Sequence, residues 1–489
     1  MARDVAAPYV LAIDIGTSGV RAFVADADGN RRGIDHRELV TRFPRPGWAE
    51  QDPIRLWEDT VAVVAGTLRA AGVTIERVAA IGITNQRSSV VAWEAGSLVP
   101  LAPVLLWHDV RTEARCRELV SQGYFVTPNM AVTKTEWILA NVADAAAAAA
   151  AGRLRFGGVE SWICAKLTGG GCHATDHGNA SATGFYQHFE RAWDTALMQA
   201  IGVKPEWFPA IHESIGKIAE TSPVVIGARI PVSGMTGDQQ ASLYGLGCHD
   251  RGDVKCSYGT AAMVDATTGS ALEIAGPGTY PLVAWSEMGA NTYCVEGSVI
   301  TAGAAVQWLR DGLGVLNRIE DASHVAESVP DAGGVWVIPA FQGLGTPIMQ
   351  AGARGMIGGL SRGSSAAQVA HALLEGIAHR VADVAEAFWQ VMGAPGALRV
   401  DGGASRNDFL LQAQADWLGV PVERSREPDS AALGVAAMAA RGAGIEGALT
   451  AVEWRPERRF EPRSSADQRA AGRARWHERL ALAAADGGL

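Results

Sequence analysis

Tyr9-Val10-Leu11-Ala12-Ile13-Asp14-Ile15-Gly16-Thr17-Ser18-Gly19-Val20-Arg21 reads as strand, tight turn and returning strand. The apolar run ends in one carboxylate, followed by a turn of small residues. Such a turn lets backbone N–H groups and hydroxyls close on phosphate oxygens. Asp14 can then reach the Mg²⁺ of a nucleotide through water. The return strand, Val20 to Asp26, meets Asp28-Gly29, a common hairpin pair. An ordinary hairpin also carries Asp-x-Gly-Thr, so the remaining motifs decide between the two.

A chain of 489 residues is too long for one core and allows two to four domains. Its net charge of −10, without a basic tail, argues against nucleic acid or an anionic membrane as partner. The six cysteines (Cys116, Cys164, Cys172, Cys248, Cys256 and Cys294) contain no C-x-x-C pair, which favours free thiols in a reducing compartment. Arg3-Asp4 and the early Asp14 do not fit a signal peptide. No uncharged apolar run reaches bilayer-spanning length. The expectation is a soluble cytoplasmic protein, with homo-oligomerisation left open. The alanine run 145–151 reads as a helix end or surface segment.

Ala79 to Thr84 reads as a buried strand, with Asn85-Gln86-Arg87 at the C-terminal end, where open α/β sheets place ligand groups. Pro46 to Pro53 is a loop leading to a helix over about 54–71. Asp253 to Asp265 repeats the first pattern of strand, Gly-Thr turn and strand, through Tyr258-Gly259-Thr260-Ala261. Two such units suggest two related lobes with a nucleotide between them. Val369, Leu373, Ile377, Val381, Val384, Phe388 and Val391 mark a core helix over about 366–392. Ser365 and Gln368 form its capping box, and Gly393 with Pro395 its stop. Leu398 to Asn407 gives a strand, a glycine loop and a helix start; Gly402-Gly403 suits close approach of a flat or phosphorylated ligand.

Taken in order, these segments resemble the FGGY family of carbohydrate kinases, and within it the glycerol kinases most. The resemblance runs from Asp14-Ile15-Gly16-Thr17 through Pro46-Gly47-Trp48-Ala49-Glu50 and Thr84-Asn85-Gln86-Arg87. It continues with Ser233 to Gln240, Tyr258-Gly259-Thr260, Pro339 to Gly345, Gly355 to Leu360 and Asp401-Gly402-Gly403-Ala404. It implies an α/β, two-lobed actin/hexokinase-like ATPase fold with ribonuclease H-like domains. The lobes would be residues 1–246, for acceptor and phosphates, and 247–489, for nucleotide, with the active site in the cleft. It also implies ATP, Mg²⁺ and transfer of the γ-phosphoryl group to a primary hydroxyl of a polyol or sugar.

Phosphoryl transfer depends on alignment and charge neutralisation. Asp238 is the candidate general base and, with Asp14, a candidate metal contact; an Asx-turn or helix N-cap is its structural alternative. Thr17, Ser18 and Arg21 would contact phosphates, Arg21 being otherwise a solvated strand residue. Thr260 would be the second lobe's phosphate contact, while Gly303, Gln307, Gly403 and Asn407 match nucleotide-site positions. Turn geometry would explain the glycines equally well, and a helix start Asn407. Arg87 and Gln239 would hold acceptor hydroxyls, and Trp107 would pack the carbon chain, unless it is a core tryptophan.

The acceptor side departs from the glycerol-kinase pattern. Ser88 stands where those enzymes carry Glu, Asn129 where they carry an aromatic hydroxyl, and Met263 where they carry an aromatic. The signature around Lys134 and Trp137 has atypical Ala131 and Thr135. A hydrogen bond to a charged group is worth about 1.5–3 kcal/mol, so losing that carboxylate changes discrimination among polyols. The smaller side chains also open space for a C4–C6 polyol or ketose. An ATP-binding switch or scaffold of the actin/chaperone type is the alternative of a different class. The arginine-rich segment after Trp454 reads as a solvated amphipathic helix face.

Overall fold

The computed structural model describes residues 8–486. The opening motif forms β1 (Tyr9–Ile15), whose apolar residues from Val10 onward have no exposed surface. Gly16 donates its N–H to the Gly19 carbonyl at 2.9 Å. β2 (Gly19–Asp26) then returns antiparallel, setting Arg21 opposite Asp14. The expected Asp28-Gly29 turn, with Gly29 at φ +81°, leads into β3 (Arg31–Glu38).

Two compact units emerge, and the chain visits the first more than once. It comprises residues 1–245, 283–291 and 431–453; the second comprises 246–282, 292–430 and 454–489. In the first unit β4 (Val78–Asn85), β5 (Ile215–Glu220) and β6 (Pro231–Gly237) complete a mixed sheet of order β5-β6-β4-β1-β2-β3. β6, β4 and β1 run parallel and the remaining pairs antiparallel.

Local chemistry explains the flanking helices. Pro53–Ala71 starts where Asp52 accepts the Ile54 and Arg55 N–H groups, and stops at Gly72, φ +62°. The helix Ser430–Gly442 packs its backbone onto β4 and β6. A Cβ at Gly82 would lie 2.4 Å from the Val435 carbonyl oxygen, and one at Gly234 2.6 Å from the Ala439 nitrogen. Glycine inside these strands is thus a packing requirement.

In the second unit β7 (Val254–Tyr258), β8 (Ala262–Gly269), β9 (Ala290–Val299), β10 (Leu398–Asp401), β11 (Val422–Ser425) and β12 (Pro456–Phe460) are neighbours in the order β12-β11-β10-β7-β8-β9. Their pairings run antiparallel, parallel, parallel, antiparallel, antiparallel, the same order of directions as the six strands of the first unit's sheet, although this sheet has seven strands in all. The internal echo read from the sequence is a duplicated topology. Helix Ala366–Met392 begins at Ser365 with the expected capping box and buries Leu373, Ile377, Val381, Val384 and Phe388.

The alanine run is the helix Ala143–Ala150, with Ala145 and Ala148 buried. All six cysteines are free thiols. No helix among the described residues is long and apolar enough to cross a membrane. The C-terminal helix Ala466–Asp486 departs from the expectation of a solvated face. Arg473 is buried against Asp383 at 2.5 Å and Glu386 at 2.8 Å, and Trp476 Nε1 donates to Asp383. Trp476, Leu480 and Ala483 are buried on the same side. An arginine at an apolar helical spacing finds a buried carboxylate, which no local pattern reveals.

Candidate active site

The parallel register of β6, β4 and β1 brings three polar strand ends to one edge of the first unit's sheet. Asp14 pairs with Thr84, Ile15 with Asn85, and Gly237 with Asn85 across the ladders. Arg87 and Asp238 follow directly, so the candidate phosphate, acceptor and base residues share this edge, where α/β sheets bind ligands.

Asp14 is buried and its Oδ2 lies 3.4 Å from Arg21 Nε. Asp238 is the first residue of the helix Asp238–Gly245, with Oδ1 accepting the Gln239 N–H at 2.9 Å. The same oxygen lies 3.4 Å from Arg87 Nε. The arginine reaches it by crossing Gly237, where a Cβ would stand 2.4 Å from its Cγ and Cδ. Glycine before Asp238 therefore clears the path for the guanidinium. Asp238 thus opens the helix as its first residue, and its bond to the adjacent Gln239 N–H is not the bond to the second or third N–H that an Asx-turn or N-cap makes.

Trp107 is 36% exposed, which removes the core-packing reading. Its Nε1 donates to Thr17 Oγ1 at 2.9 Å. A ring of hydrogen bonds closes between these two residues. The Trp107 N–H donates to Ser89 Oγ at 3.0 Å, Ser89 Oγ to Gln86 Oε1 at 3.2 Å, and Gln86 Nε2 to Gln51 Oε1 at 3.0 Å. Gln51 Nε2 donates to the Thr17 carbonyl at 2.7 Å. Ser89, Gln86 and Gln51 are buried. The indole expected at the acceptor and the turn expected at the phosphates are thus fixed to each other.

The same loop is clamped from behind. Arg111 is bonded to Asp109 and Glu50, each at 2.7 Å, and lies 3.8 Å over the Trp48 ring. Asp109 also accepts the Ala49 N–H at 2.7 Å. This gives Trp48-Ala49-Glu50-Gln51 a structural account. The sequence flagged that motif and Asn85-Gln86-Arg87, but not the roles of Gln51, Gln86, Ser89 or Arg111. Gln86, at the end of a predicted buried strand, was the available signal; Gln51, in a predicted loop, offered none.

Ser88 adopts φ +60°, uncommon for a residue with a Cβ, and its hydroxyl donates to the Ala182 carbonyl at 2.7 Å. It borders a cavity of about 30 Å³, also lined by Thr135, Glu160, Thr175 and Asn179. That space takes a water or two, given that one probe sphere suffices for one. Glu160 accepts from Thr175 at 2.8 Å and Asn85 at 2.8 Å; burial pushes its carboxyl up to about 7. Asn129 is exposed, Gln239 half-buried, and Ser18 exposed on the phosphate turn.

In the second unit the turn Tyr258 to Ala261 is braced by backbone hydrogen bonds, and Tyr258 Oη donates to Gln414 Oε1 at 2.6 Å. The Gly259 carbonyl accepts from Gly303 at 3.0 Å, and the Thr260 carbonyl from Ala302 and Ala304. A Cβ at Gly303 would lie 2.5 Å from Gly259 O, and one at Gly402 (φ +85°) 2.5 Å from Tyr258 O. Both glycines answer to packing. Gly403 differs, since a Cβ there would meet nothing within 4 Å. Thr260 and Gln307 are exposed, and Met263 is half-buried on β8. Asn407 caps the helix Asp408–Leu418, its Oδ1 accepting from Leu410 at 2.9 Å, so the helix-start reading is realised.

The sequence matches the N-terminal domain of the FGGY family of carbohydrate kinases over residues 9–245 and its C-terminal domain over 254–443. It is 41% identical to the glycerol kinase of Aromatoleum aromaticum, over 96% of this chain and 97% of that protein. It is 39% identical to that of Dechloromonas aromatica, over 97% of each. Its fold resembles Plasmodium falciparum glycerol kinase with ADP at a TM-score of 0.90, 25% identity and 98% coverage of both chains. Xylulose kinase from Rhodospirillum rubrum shares the fold at a TM-score of 0.83 and 23% identity, over 97% of this chain and 98% of that one.

Proposed function

The chain belongs to the FGGY family of carbohydrate kinases, and from that premise we propose that it transfers the γ-phosphoryl group of ATP to a primary hydroxyl of a small polyol, with glycerol the leading acceptor. The observation that carries the reading is the shared sheet edge, with Asp14, Arg87 and Asp238 at three adjacent parallel strand ends. Near-full-length identity of about 40% to proteins named glycerol kinase supports the acceptor class.

Asp238 takes the proton of the attacking hydroxyl as the bond to phosphorus forms. Arg87, lying against that carboxylate, holds its orientation and donates to acceptor hydroxyls. Trp107 offers an apolar plane to the carbon chain, and its bond to Thr17 holds that plane in register with the phosphate turn. Thr17, Ser18 and Arg21 meet phosphate oxygens in the first unit; Thr260, Gly303, Gln307, Gly403 and Asn407 are the proposed nucleotide residues of the second. The open space beside Gly403 supports close approach by a nucleotide.

The carboxylates Asp14 and Asp238 are hard oxygen donors suited to Mg²⁺ through water. When bound, Mg²⁺ neutralises phosphate charge and orients the transferring group. The reaction belongs in the cytoplasm, where ATP is available.

A second acceptor reading rests on the cavity beside Ser88. Thr135, Glu160, Thr175 and Asn179 stand in its lining beside the apolar Phe156, Trp193 and Phe208, and the space supports a polyol one hydroxymethyl group longer than glycerol. Initial rates of ADP release with Mg-ATP and glycerol against four-carbon polyols test both. Acceptor-independent ATP turnover alone would instead support the switch reading.

A further inference from the structure

Lys134 sits in the helix Val132–Asn141 with no exposed surface. Its ammonium donates to three backbone carbonyls: Pro128 at 2.7 Å, Trp107 at 3.1 Å and Met130 at 3.1 Å. Those carbonyls belong to two segments with proposed acceptor residues, the Trp107 loop and the 128–130 turn that presents Asn129. The three donors of an ammonium are all used. A neutral amine has two N–H groups and a lone pair, so one carbonyl would face the lone pair.

We infer that Lys134 is a positioning residue, whose ammonium ties the Trp107 backbone to the Asn129 turn and so sets the width of the acceptor pocket. This rests on the proposed acceptor site and adds a residue that touches neither substrate. A buried cation is costly, and a methionine of similar length would remove the charge. What the charge supplies is a third donor at a point where three carbonyls converge.

The surroundings make the tie sensitive to pH. Burial holds the Lys134 amine down to about 7. The groups facing it are Asp109 and the Cys116 thiol, which favour the cation, and Arg111, which opposes it. His108 also lies within its field. Below pH 7 all three carbonyls are held; above it one is released.

The test compares the wild type, Lys134→Met and Lys134→Arg, varying acceptor and Mg-ATP separately. Lys134→Met is expected to raise the acceptor KM at least tenfold, leaving the ATP KM within twofold. Lys134→Arg, which keeps charge and donors, restores at least threefold of that loss. In the wild type, which needs no variant to fold, the acceptor KM rises between pH 6 and 8.5, and Lys134→Met abolishes the rise. An unchanged acceptor KM, or equal changes in both KM values, overturns the inference. Acrylamide quenching of the Trp107 signal, isolated by difference from Trp107→Phe, tests the tie without catalysis. It should increase at least twofold in Lys134→Met, and no increase overturns the inference even if no polyol is phosphorylated. Complete absence of polyol phosphorylation in the wild type defeats the acceptor reading separately.

Discussion

Gln86→Leu removes the centre of the hydrogen-bond ring while nearly keeping side-chain volume. Gln86 gives one hydrogen bond to Gln51 at 3.0 Å and receives one from Ser89 at 3.2 Å. Gln51 and Ser89 are 2% and 1% exposed, so water cannot replace the lost partner. A buried polar group stranded in this way costs about 1–3 kcal/mol. Two such groups give about 2–6 kcal/mol, and the lower half applies, because Ser89 Oγ still accepts from Trp107 and Gln51 still donates to Thr17. The expected loss for the first unit is therefore about 2–4 kcal/mol. Urea unfolding followed by tryptophan fluorescence and circular dichroism measures it. In Gln51→Leu/Gln86→Leu the stranded Gln51 oxygen is gone, so the double variant should lose about 1 kcal/mol less than the sum of the singles. A single variant within about 0.5 kcal/mol of wild type, the usual range for neutral surface changes, would refute the ring as a structural unit.

Asp238→Asn should lower turnover about 10²–10⁴-fold, the usual contribution of a general base, with nucleotide affinity by calorimetry within threefold; near-normal turnover would remove Asp238 from the mechanism. Ser88→Glu should lower the glycerol KM about tenfold or more, as a charged hydrogen bond of about 1.5–3 kcal/mol implies, and reject four-carbon polyols by filling the cavity. Arg473→Met leaves Asp383 buried with fewer cations and should cost about 3–5 kcal/mol, read from denaturant midpoints. Asp383 is desolvated by burial, yet His477, Arg380 and Arg473 hold its carboxyl well below the usual range. Its folded value lies below its unfolded one, so this stability is present above the ordinary carboxylate range and lost as pH falls. Acid unfolding profiles should accordingly be shallower in Arg473→Met than in wild type.

The elements carried by local chemistry were legible in the sequence. The capping box at Ser365, the turn at Asp28-Gly29 and the strand before Asn85 all stand where their residues put them. Even the duplication was visible, because both units open on the same strand, turn and strand. The return of 431–453 to the first unit was hidden, since Gly82 and Gly234 meet that helix only in three dimensions. Long-range polar partnerships were hidden for the same reason. Nothing near Gln51 names Gln86, and nothing near Lys134 names the Trp107 carbonyl. For glycines the sequence left packing and ligand approach undecided; the backbone separates Gly303 and Gly402, crowded by neighbours, from Gly403, which faces open space.

The most direct measurement is coupled ADP release with Mg-ATP across glycerol, tetritols, pentitols, hexitols and the matching ketoses. The account predicts acceptor-dependent turnover with glycerol or a four-carbon polyol, far above the rate with ATP alone. A rate that no acceptor raises above that background would contradict it.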